Sequence, residues 1–342
     1  MISLQEYATY REIKSQTEAW AQAMEVTRNI SLPKADRYQQ VIFTGCGSTY
    51  YLSLAAAALY QELTGCAARA VPASELLLNP KTVVSRVANP SDLLVAVSRS
   101  GTTSETVKAA QNFKAEKRGD VVVISNYDEA LSRLADVNIV ISKGQEESVA
   151  QTRSFASMFV AATSFGARMA ERGDLLDAMN KLPEIGDRLL HRYELFAEKI
   201  GSNLDFDRFY FLGSGTRYGL ACEVNLKMKE MTLTHSEPFH FLEFRHGPMS
   251  MVNEKAVVVG MLSDVNRIHE AKVLSEMKSL GGKVASLGET EVDVEFKSGI
   301  PEGVRGVLYL PVLQLMAFYR SVAKGLNPDR PKNLTAVVQL NL

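Results

Sequence analysis

The sequence has no surplus of charge of either sign. Its 342 residues include 38 Lys and Arg against 39 Asp and Glu, which gives a net charge of −1. Nucleic-acid-binding proteins usually carry a basic surplus, so we expect no nucleic-acid partner. The N-terminus lacks the basic start and apolar core of a signal peptide, and no apolar run reaches the roughly 18 residues that cross a bilayer. We therefore expect a cytoplasmic protein with no membrane partner.

Cysteine is scarce as well. Cys46, Cys66 and Cys222 are odd in number and form no C-x-x-C pair, so the sequence predicts neither a disulfide framework nor a Cys-based zinc site. An apolar content of 46% excludes global disorder. The length corresponds to about two domains at roughly 150 residues each.

The sequence does contain short β-branched runs that alternate with helical stretches. This alternation predicts an α/β fold in which each parallel sheet is flanked by helices on both faces, a three-layer sandwich of the flavodoxin-like or Rossmann-like kind. Thr102 and Glu105 have the spacing of a capping box. The predicted strands cover residues 40–45, 92–98, 120–125, 137–141, 256–262 and 283–287. The predicted helices cover residues 5–30, 50–62, 104–115, 154–170 and 311–324.

The second half of the chain repeats the first at a constant offset. Phe43–Leu52 and Phe211–Leu220 share Phe, two Gly, Tyr and Leu at matching positions. An offset close to half the chain length indicates two copies of one α/β unit. We predict an N-terminal helical segment over 1–34, a first domain over 35–170, a helical linker over 171–207, a second domain over 208–325 and a tail over 326–342.

Each copy has a Gly-rich loop between a strand and a helix. The loops at Gly45–Gly47 and Gly213–Gly215 lack the third glycine of the dinucleotide-binding fingerprint, and the Walker A pattern is absent. Backbone N–H groups and hydroxyls at a helix N-terminus suit a phosphate monoester instead. Ser98–Thr103 forms a second hydroxyl-bearing turn after the next predicted strand of the first copy. For either turn alone, simple helix capping is the alternative interpretation.

The second copy carries groups suited to proton transfer. Glu223, Lys227 and Glu230 are spaced to lie along one helix face, where a solvated stripe of salt bridges is the alternative. The following segment, 234–248, holds three of the five histidines, two carboxylates and an Arg. This spacing does not suit zinc, so we expect no metal. A carboxylate together with groups that titrate near neutral pH suits proton transfer next to a carbonyl.

At these residues the chain resembles the double SIS (sugar isomerase) domain family. The resemblance is greatest to the isomerase half of glucosamine-6-phosphate synthase and to its stand-alone deaminase and isomerase relatives, and it implies two tandem SIS domains. It rests on six segments that occur in the family's order. These segments are Gly45–Thr49, Ser98–Thr103, Glu147–Phe155, Glu223–Glu230, Glu243–Pro248 and Asp329–Leu334.

The resemblance implies catalytic roles for three residues. Glu230 would be the general base that moves a proton between C1 and C2 of the open-chain sugar, with Lys227 as its charge partner. His246 would open the sugar ring from a second subunit, which implies a homodimer with shared active sites. The residues that would bind the sugar phosphate are Gly47, Ser48, Thr49, Ser98, Arg99, Ser100, Thr103, Val149 and Gln151.

Two departures from the synthase bear on the reaction. The chain opens with Glu12–Gln16, the equivalent of the family's isomerase start, so we expect no glutaminase domain to supply ammonia. Ala336 stands where the synthase has a Lys that acts on the open-chain carbonyl.

We therefore predict an enzyme that converts an amino sugar 6-phosphate into a ketose 6-phosphate and ammonia through an enolamine. Such chemistry requires no cofactor, because the substrate nitrogen relays the electrons. A deglycase acting on a fructosamine 6-phosphate and a plain aldose–ketose isomerase remain alternatives. A non-catalytic sugar-phosphate sensor is the alternative of another class, but a sensor would need neither Glu230, Lys227 nor His246.

Overall fold

The computed structural model describes residues 3–84, 91–335, 337 and 340. Its strands form two five-stranded parallel sheets, which confirms the predicted α/β fold. The strands are β1 (Tyr38–Gly45), β2 (Ala68–Pro72), β3 (Ser91–Ser98), β4 (Gly119–Ser125), β5 (Val137–Val140), β6 (Arg208–Leu212), β7 (His235–Phe239), β8 (Ala256–Met261), β9 (Lys283–Gly288) and β10 (Val294–Glu295). The order is β2-β1-β3-β4-β5 in the first sheet and β10-β9-β8-β6-β7 in the second.

α-Helices lie in most of the connections between consecutive strands, whereas short 3-10 helices lie between β4 and β5 and between β7 and β8, and no helix lies among the described residues between β9 and β10. The helices of the described residues are α1 (Ala8–Lys14), α2 (Gln16–Asn29), α3 (Ser48–Thr64), α4 (Ala73–Leu78), α5 (Pro80–Val83), α6 (Ser104–Ala115), α7 (Arg153–Met169), α8 (Gly173–Met179), α9 (Leu182–Arg192), α10 (Glu194–Gly201), α11 (Thr216–Thr232), α12 (Arg267–Ser279) and α13 (Leu310–Ala323).

The sequence implied β6 only through the repeat, and it missed three further strands, β2, β7 and β10, all of which lie at sheet edges. β2 and β7 each form one edge of a sheet, and β10 has two residues. An edge strand has a neighbour on one side only, so it tolerates exposed polar residues and Pro. β7 includes Pro238 and an exposed His235. Such strands carry little of the apolar signal on which the prediction depended.

Two details of the predicted helices differ from the structure. The segment predicted as one helix over 5–30 is two helices, α1 and α2, which are separated at Ser15. The capping box predicted from Thr102 is wrong, because α6 begins one residue later, with Thr103 at the N-cap and no side-chain cap hydrogen bond.

The chain divides into two compact units, each built around one sheet. The N-sheet unit comprises Ser15–Glu146, Arg153–Asn180 and Thr335–Leu342, and the C-sheet unit comprises Met1–Lys14, Glu147–Thr152 and Lys181–Leu334. Each sheet takes all its strands from one of the two ranges expected for the SIS domains, 35–170 and 208–325. The remaining boundaries stay a prediction.

Helix α13 is the central helix of the C-sheet unit. The stretch Gly306–Ala323 has a mean hydropathy of 1.3 and is long and apolar enough to cross a membrane by length and composition, but 83% of it is buried in the structure. It packs against α10 and α11 of the same unit. That burial is typical of the core helix of a globular domain.

Candidate active site

The two Gly-rich loops adopt the same backbone course. A Cβ on Gly45 would lie 2.5 Å from Thr49 Oγ1, and one on Gly213 would lie 2.5 Å from the carbonyl oxygen of Arg217. The next glycine in each loop has a positive φ, 56° at Gly47 and 59° at Gly215. Both loops therefore need glycine at both positions, and the repeat seen in the sequence extends to backbone geometry.

In the first loop, Thr49 closes the turn. The N–H of Cys46 donates to Thr49 Oγ1 at 2.9 Å, and the Thr49 hydroxyl donates to the Cys46 carbonyl at 3.0 Å. The Thr49 hydroxyl is thus occupied within the loop. Ser48 is buried at the first position of α3, with Gly47 at the N-cap. The N–H groups of this first turn are the ones that a helix leaves for an anion.

The second hydroxyl-bearing turn follows β3, the neighbour of β1. The Ser98 and Thr103 hydroxyl oxygens lie 3.3 Å apart, and the N–H of Gly101 donates to Ser98 Oγ at 3.2 Å. Ser100 Oγ accepts from both the N–H and the hydroxyl of Thr102, at 3.2 and 3.0 Å. In the sheet, β1 has β2 on one side and β3 on the other, so the strand order reverses direction at β1. Both turns follow strands at this switch point, where α/β proteins bind ligands.

Arg99 supplies a cation beside this turn. Its guanidinium lies 3.8 Å from the Glu146 carboxylate, and both side chains are buried. Glu146 also accepts hydrogen bonds from the N–H and the hydroxyl of Ser154. The charge of Arg99 is therefore partly neutralised and its position fixed, which suits a residue that shapes the turn around an anion.

Helix α11 of the C-sheet unit carries a buried row of charges. The side chains of Glu223 and Lys227 are each 1% exposed, and that of Glu230 is 13% exposed. Lys227 Nζ lies 3.2 Å from Glu223 and donates to the Glu230 carboxylate. The helix face is thus buried, which excludes the alternative of a solvated stripe.

The charge state of Lys227 follows from its neighbours. Burial alone would lower the pKa of its ammonium group, but the Glu223 and Glu230 carboxylates outweigh burial and raise that pKa above its usual value. Lys227 therefore stays a fixed cation at neutral pH. It holds the Glu230 carboxylate in place at the partly open end of the row.

A cavity of about 240 Å³ opens beside Glu230 within the C-sheet unit. It is lined by Glu230, Met231, Leu233, Gly325, Leu326, Asn327, Arg330, Pro331 and Lys332. Glu230 thus borders a space that a small molecule can enter. Ala336, which the resemblance aligns with a lysine of the synthase, lies outside the described residues.

The loop that carries Val149 and Gln151 is held by residues that the sequence analysis did not single out as functional. The buried Glu12 carboxylate accepts from the N–H of Glu147 at 2.6 Å and from the Ser148 hydroxyl. The N–H of Val149 donates to the Asp329 carbonyl at 2.9 Å. Both anchors lie far from the loop in sequence, so spacing alone gave no signal for these contacts. Among the described residues, the side-chain oxygen of Gln151 is buried without a hydrogen-bond partner.

The three histidines of segment 234–248 lie in three different environments. His246 is exposed, and it is not among the residues that line the cavity beside Glu230. His235 lies on β7, 3.9 Å from Glu237. His240 stacks on Tyr218 with ring centroids 3.9 Å apart. In the part of the chain that the structure describes, no three His, Cys, Asp or Glu side chains are grouped to hold a metal.

The second Gly-rich loop is occupied by an internal ion pair. Arg217, at the position equivalent to Thr49, is buried with its guanidinium 3.1 Å from Glu270 and bonded to Glu302. Glu270 also accepts from the N–H of Ser263 after β8, at 2.6 Å. Carboxylates repel a phosphate, so this loop is less suited to an anion than the first loop, in which no carboxylate of the described residues is bonded to the residue equivalent to Arg217.

The cysteine of the first loop is a poor nucleophile. Burial raises the pKa of the Cys46 thiol, although a hydrogen bond with Thr106 opposes that shift. The thiolate is therefore scarce at neutral pH. Cys46 is therefore better suited to packing in the loop than to nucleophilic attack.

Comparison with known proteins matches the residues of both sheets to one domain family. A family model described as "SIS domain" matches residues 36–168 and 205–291. The glutamine–fructose-6-phosphate aminotransferase (isomerizing) of Pyrococcus horikoshii is 30% identical over 318 residues, which are 88% of this chain and 52% of that protein. The chain thus spans about half the length of the curated relatives it matches.

Solved structures share the fold over nearly the whole chain. The glucosamine-6-phosphate deaminase of Thermotoga maritima superposes with a TM-score of 0.79 at 24% identity, covering 97% of this chain and 100% of that one. The tagatose-6-phosphate ketose/aldose isomerase of Escherichia coli gives a TM-score of 0.83 at 22% identity, covering 96% and 97%. At these identities the likeness establishes the fold alone.

Proposed function

The chain belongs to the SIS domain family, and from that premise we propose that it is a sugar-phosphate deaminase/isomerase. Its substrate in this proposal is an amino sugar 6-phosphate, and its products are a ketose 6-phosphate and ammonia. The single observation that carries the proposal is the buried row on α11, in which Lys227 fixes Glu230 beside a cavity.

The proton transfer needs one carboxylate. Glu230 removes the C2 proton of the open-chain aldosamine, and the electron pair forms a C1–C2 enolamine while the C1 carbonyl becomes a hydroxyl. Return of the proton to C1, with loss of one amine proton that balances the proton gained by the C1 oxygen, leaves an imine at C2. Water adds to this imine and releases ammonia, which leaves the ketose. A general base of this kind contributes typically 10²–10⁴-fold to the rate.

Substrate binding uses the two turns of the N-sheet unit. The first-turn N–H groups of α3, the hydroxyls of Ser98 and Ser100, and the start of α6 supply donors for a phosphate. A phosphate held there leaves the other end of an open-chain sugar free for the reaction. In this proposal His246 of the partner subunit opens the ring, and the exposure of His246 is compatible with a contact to a second chain.

The test is an assay of two products in one reaction. The protein is incubated with glucosamine 6-phosphate, and separately with galactosamine 6-phosphate, and ammonia and ketose 6-phosphate are measured together. The proposal predicts equal amounts of both products, lost in Glu230→Gln and retained in the control Glu237→Gln, whose carboxylate on β7 no proposed step uses.

Other results would identify the alternatives. Interconversion of an aldose 6-phosphate and a ketose 6-phosphate, with no ammonia from either amino sugar, would favour a plain isomerase, as in the structural neighbour named a ketose/aldose isomerase. Binding of sugar phosphates without any turnover would favour a sensor.

A further inference from the structure

The loop at residues 147–152 is part of the unit that carries Glu230. It belongs to the C-sheet unit together with α1 and α11, whereas the residues directly before and after it, Glu146 and Arg153, belong to the N-sheet unit. The loop carries Val149 and Gln151, which the resemblance assigns to the sugar. Its position therefore decides how a sugar at these two residues lies with respect to the proton-transfer group.

A buried carboxylate of α1 holds the start of this loop. Glu12 is 4% exposed, and one of its oxygens accepts from the N–H groups of Glu147 at 2.6 Å and Ser148 at 3.3 Å. Its other oxygen accepts from the Ser148 hydroxyl, which lies 3.0 Å from the Ala150 carbonyl oxygen. Because Ser148 is buried as well, solvent has little access to take over the role of this carboxylate.

The middle of the loop is attached to the wall of the cavity beside Glu230. The N–H of Val149 donates to the carbonyl of Asp329 at 2.9 Å. Asp329 lies in sequence between Asn327 and Arg330, which both line that cavity. The loop that would contact the sugar and the segment that borders Glu230 are therefore joined by a backbone hydrogen bond.

The side chain of Asp329 closes the same arrangement on α1. Its carboxylate accepts from the N–H groups of Ala8 and Thr9 at 2.9 and 2.8 Å, and from the Thr9 hydroxyl at 2.7 Å. Helix α1 is thus bonded at its start to segment 327–332 and, through Glu12, to the loop. We call the loop 147–152, α1 and segment 327–332 the α1 frame.

We propose that Glu12 is a positioning residue for the proton transfer at Glu230. Its carboxylate holds the 147–152 loop in register with the cavity wall, so that the reacting carbons of a sugar on that loop meet the Glu230 carboxylate. Glu12 itself neither touches the substrate nor takes a proton. Such positioning matters because a misplacement of about 1 Å can lower a rate by about a hundredfold. The inference rests on the proposed function, because it uses the same proton shuttle.

The test separates the rate of turnover from substrate binding. Glu12→Ala removes the acceptor that both N–H groups use, and kcat for glucosamine 6-phosphate is expected to fall by about tenfold to a hundredfold. The phosphate turns lie outside the α1 frame, so KM is expected to change by less than about threefold. Glu12→Gln is expected to restore most of kcat, because its amide oxygen can accept from both N–H groups and its amide nitrogen can donate to Ser148 Oγ.

Glu289→Ala is the matched control in the same unit. Glu289 accepts from the N–H groups of Ser298 and Gly299 at 2.7 Å and from the Ser298 hydroxyl at 2.8 Å, so it holds another loop by the same kinds of bond. Thermal unfolding is expected to show that both Ala variants lose stability. At a temperature at which both are folded, only Glu12→Ala is expected to lose kcat.

A second variant disturbs the α1 frame at another point and serves if Glu12→Ala does not fold. Asp329→Asn leaves one acceptor oxygen at the start of α1 instead of two, and kcat is expected to fall severalfold while KM stays nearly constant. If Asp329→Asn or a folded Glu12→Ala keeps its kcat, or if Glu289→Ala loses as much, the role of Glu12 is wrong and the proposed function stands. If the unmodified protein releases no ammonia from either amino sugar 6-phosphate, the proposed function fails and the inference with it.

Discussion

Lys227 is the residue on which the account of the site depends most. The sequence predicted its position on one helix face with Glu223 and Glu230, because helical spacing fixes the angle between side chains. The spacing did not predict burial. Burial comes from the packing of α11 against α13, which lies some 90 residues further along the chain, and against β7, a strand that the sequence did not reveal.

Replacing Lys227 by Met is expected to destabilise the protein strongly. The change leaves the Glu223 carboxylate buried without its cation, and breaking a buried ion pair on one side costs about 3–5 kcal/mol. Lys229→Met, at an exposed position of the same helix, is the matched control and is expected to change the free energy of unfolding by less than about 0.5 kcal/mol. Urea unfolding measures both, and equal effects would contradict the buried ion pair.

The pH dependence of that contribution follows from the sign of the shift. The folded-state pKa of Lys227 is raised, so its stabilising contribution is complete below the unfolded value of 10.5 and is lost as pH rises through the folded value. No loss due to Lys227 is therefore expected between pH 7 and pH 10.

His240 is expected to make stability fall at mildly acidic pH. Partial burial lowers the pKa of its imidazole below 6.5, an effect that Glu243 opposes only in part. The unfolded chain then binds the proton more readily than the folded one, so stability is complete above about pH 6.5 and declines as pH falls through that value.

The measurement is urea unfolding at pH 7.5 and pH 5.5. His240→Gln is expected to remove part of the loss between these two values, and His269→Gln, at an exposed position on α12, is the control. An unchanged loss in His240→Gln would show that His240 does not contribute.

At the scale of elements, the two Gly-rich loops show how much of the fold is fixed locally. The repeated glycines predicted two equivalent strand–loop–helix units, and the structure gives them matching close contacts and matching positive φ angles. The sequence could not predict that the two loops make different side-chain interactions. Thr49 closes its own loop, whereas Arg217 pairs with carboxylates 53 and 85 residues further along the chain.

Gly45→Ala is expected to destabilise the N-sheet unit. The added methyl group would lie 2.7 Å from the Thr49 carbonyl carbon, which belongs to the backbone and cannot rotate away. Overpacking of this kind typically costs about 1–3 kcal/mol. Gly173→Ala is the control, because a Cβ there meets nothing within 4 Å, and it is expected to be nearly neutral. Thermal unfolding compares the two, and a neutral Gly45→Ala would contradict the close approach.

At the scale of the whole molecule, the chain has two related sheets that differ in the side chains of their loops. The N-sheet unit offers the hydroxyls of Ser98 and Ser100, and the equivalent region of the C-sheet unit holds the Arg217 ion pairs instead. Duplication thus supplied two copies of one scaffold. In the proposed function, the turns of the N-sheet unit bind the phosphate.

This division predicts the stoichiometry of binding. Calorimetry of the Glu230→Gln variant with fructose 6-phosphate is expected to give one site per chain, because carboxylates occupy the second loop. Ser98→Ala combined with Ser100→Ala is expected to weaken that site strongly, since it removes two donors. Two sites per chain would contradict the assignment of the second loop to a structural role.

The central claim is that Glu230 carries a carbon-bound proton of an amino sugar 6-phosphate. The most direct test compares turnover of glucosamine 6-phosphate with that of the same compound deuterated at C2, and locates the deuterium in the products by nuclear magnetic resonance. The account predicts slower turnover of the deuterated substrate, with its deuterium recovered at C1 of the ketose 6-phosphate or in water, and no transfer in Glu230→Gln. Equal rates for the two substrates together with full transfer in Glu230→Gln would contradict it.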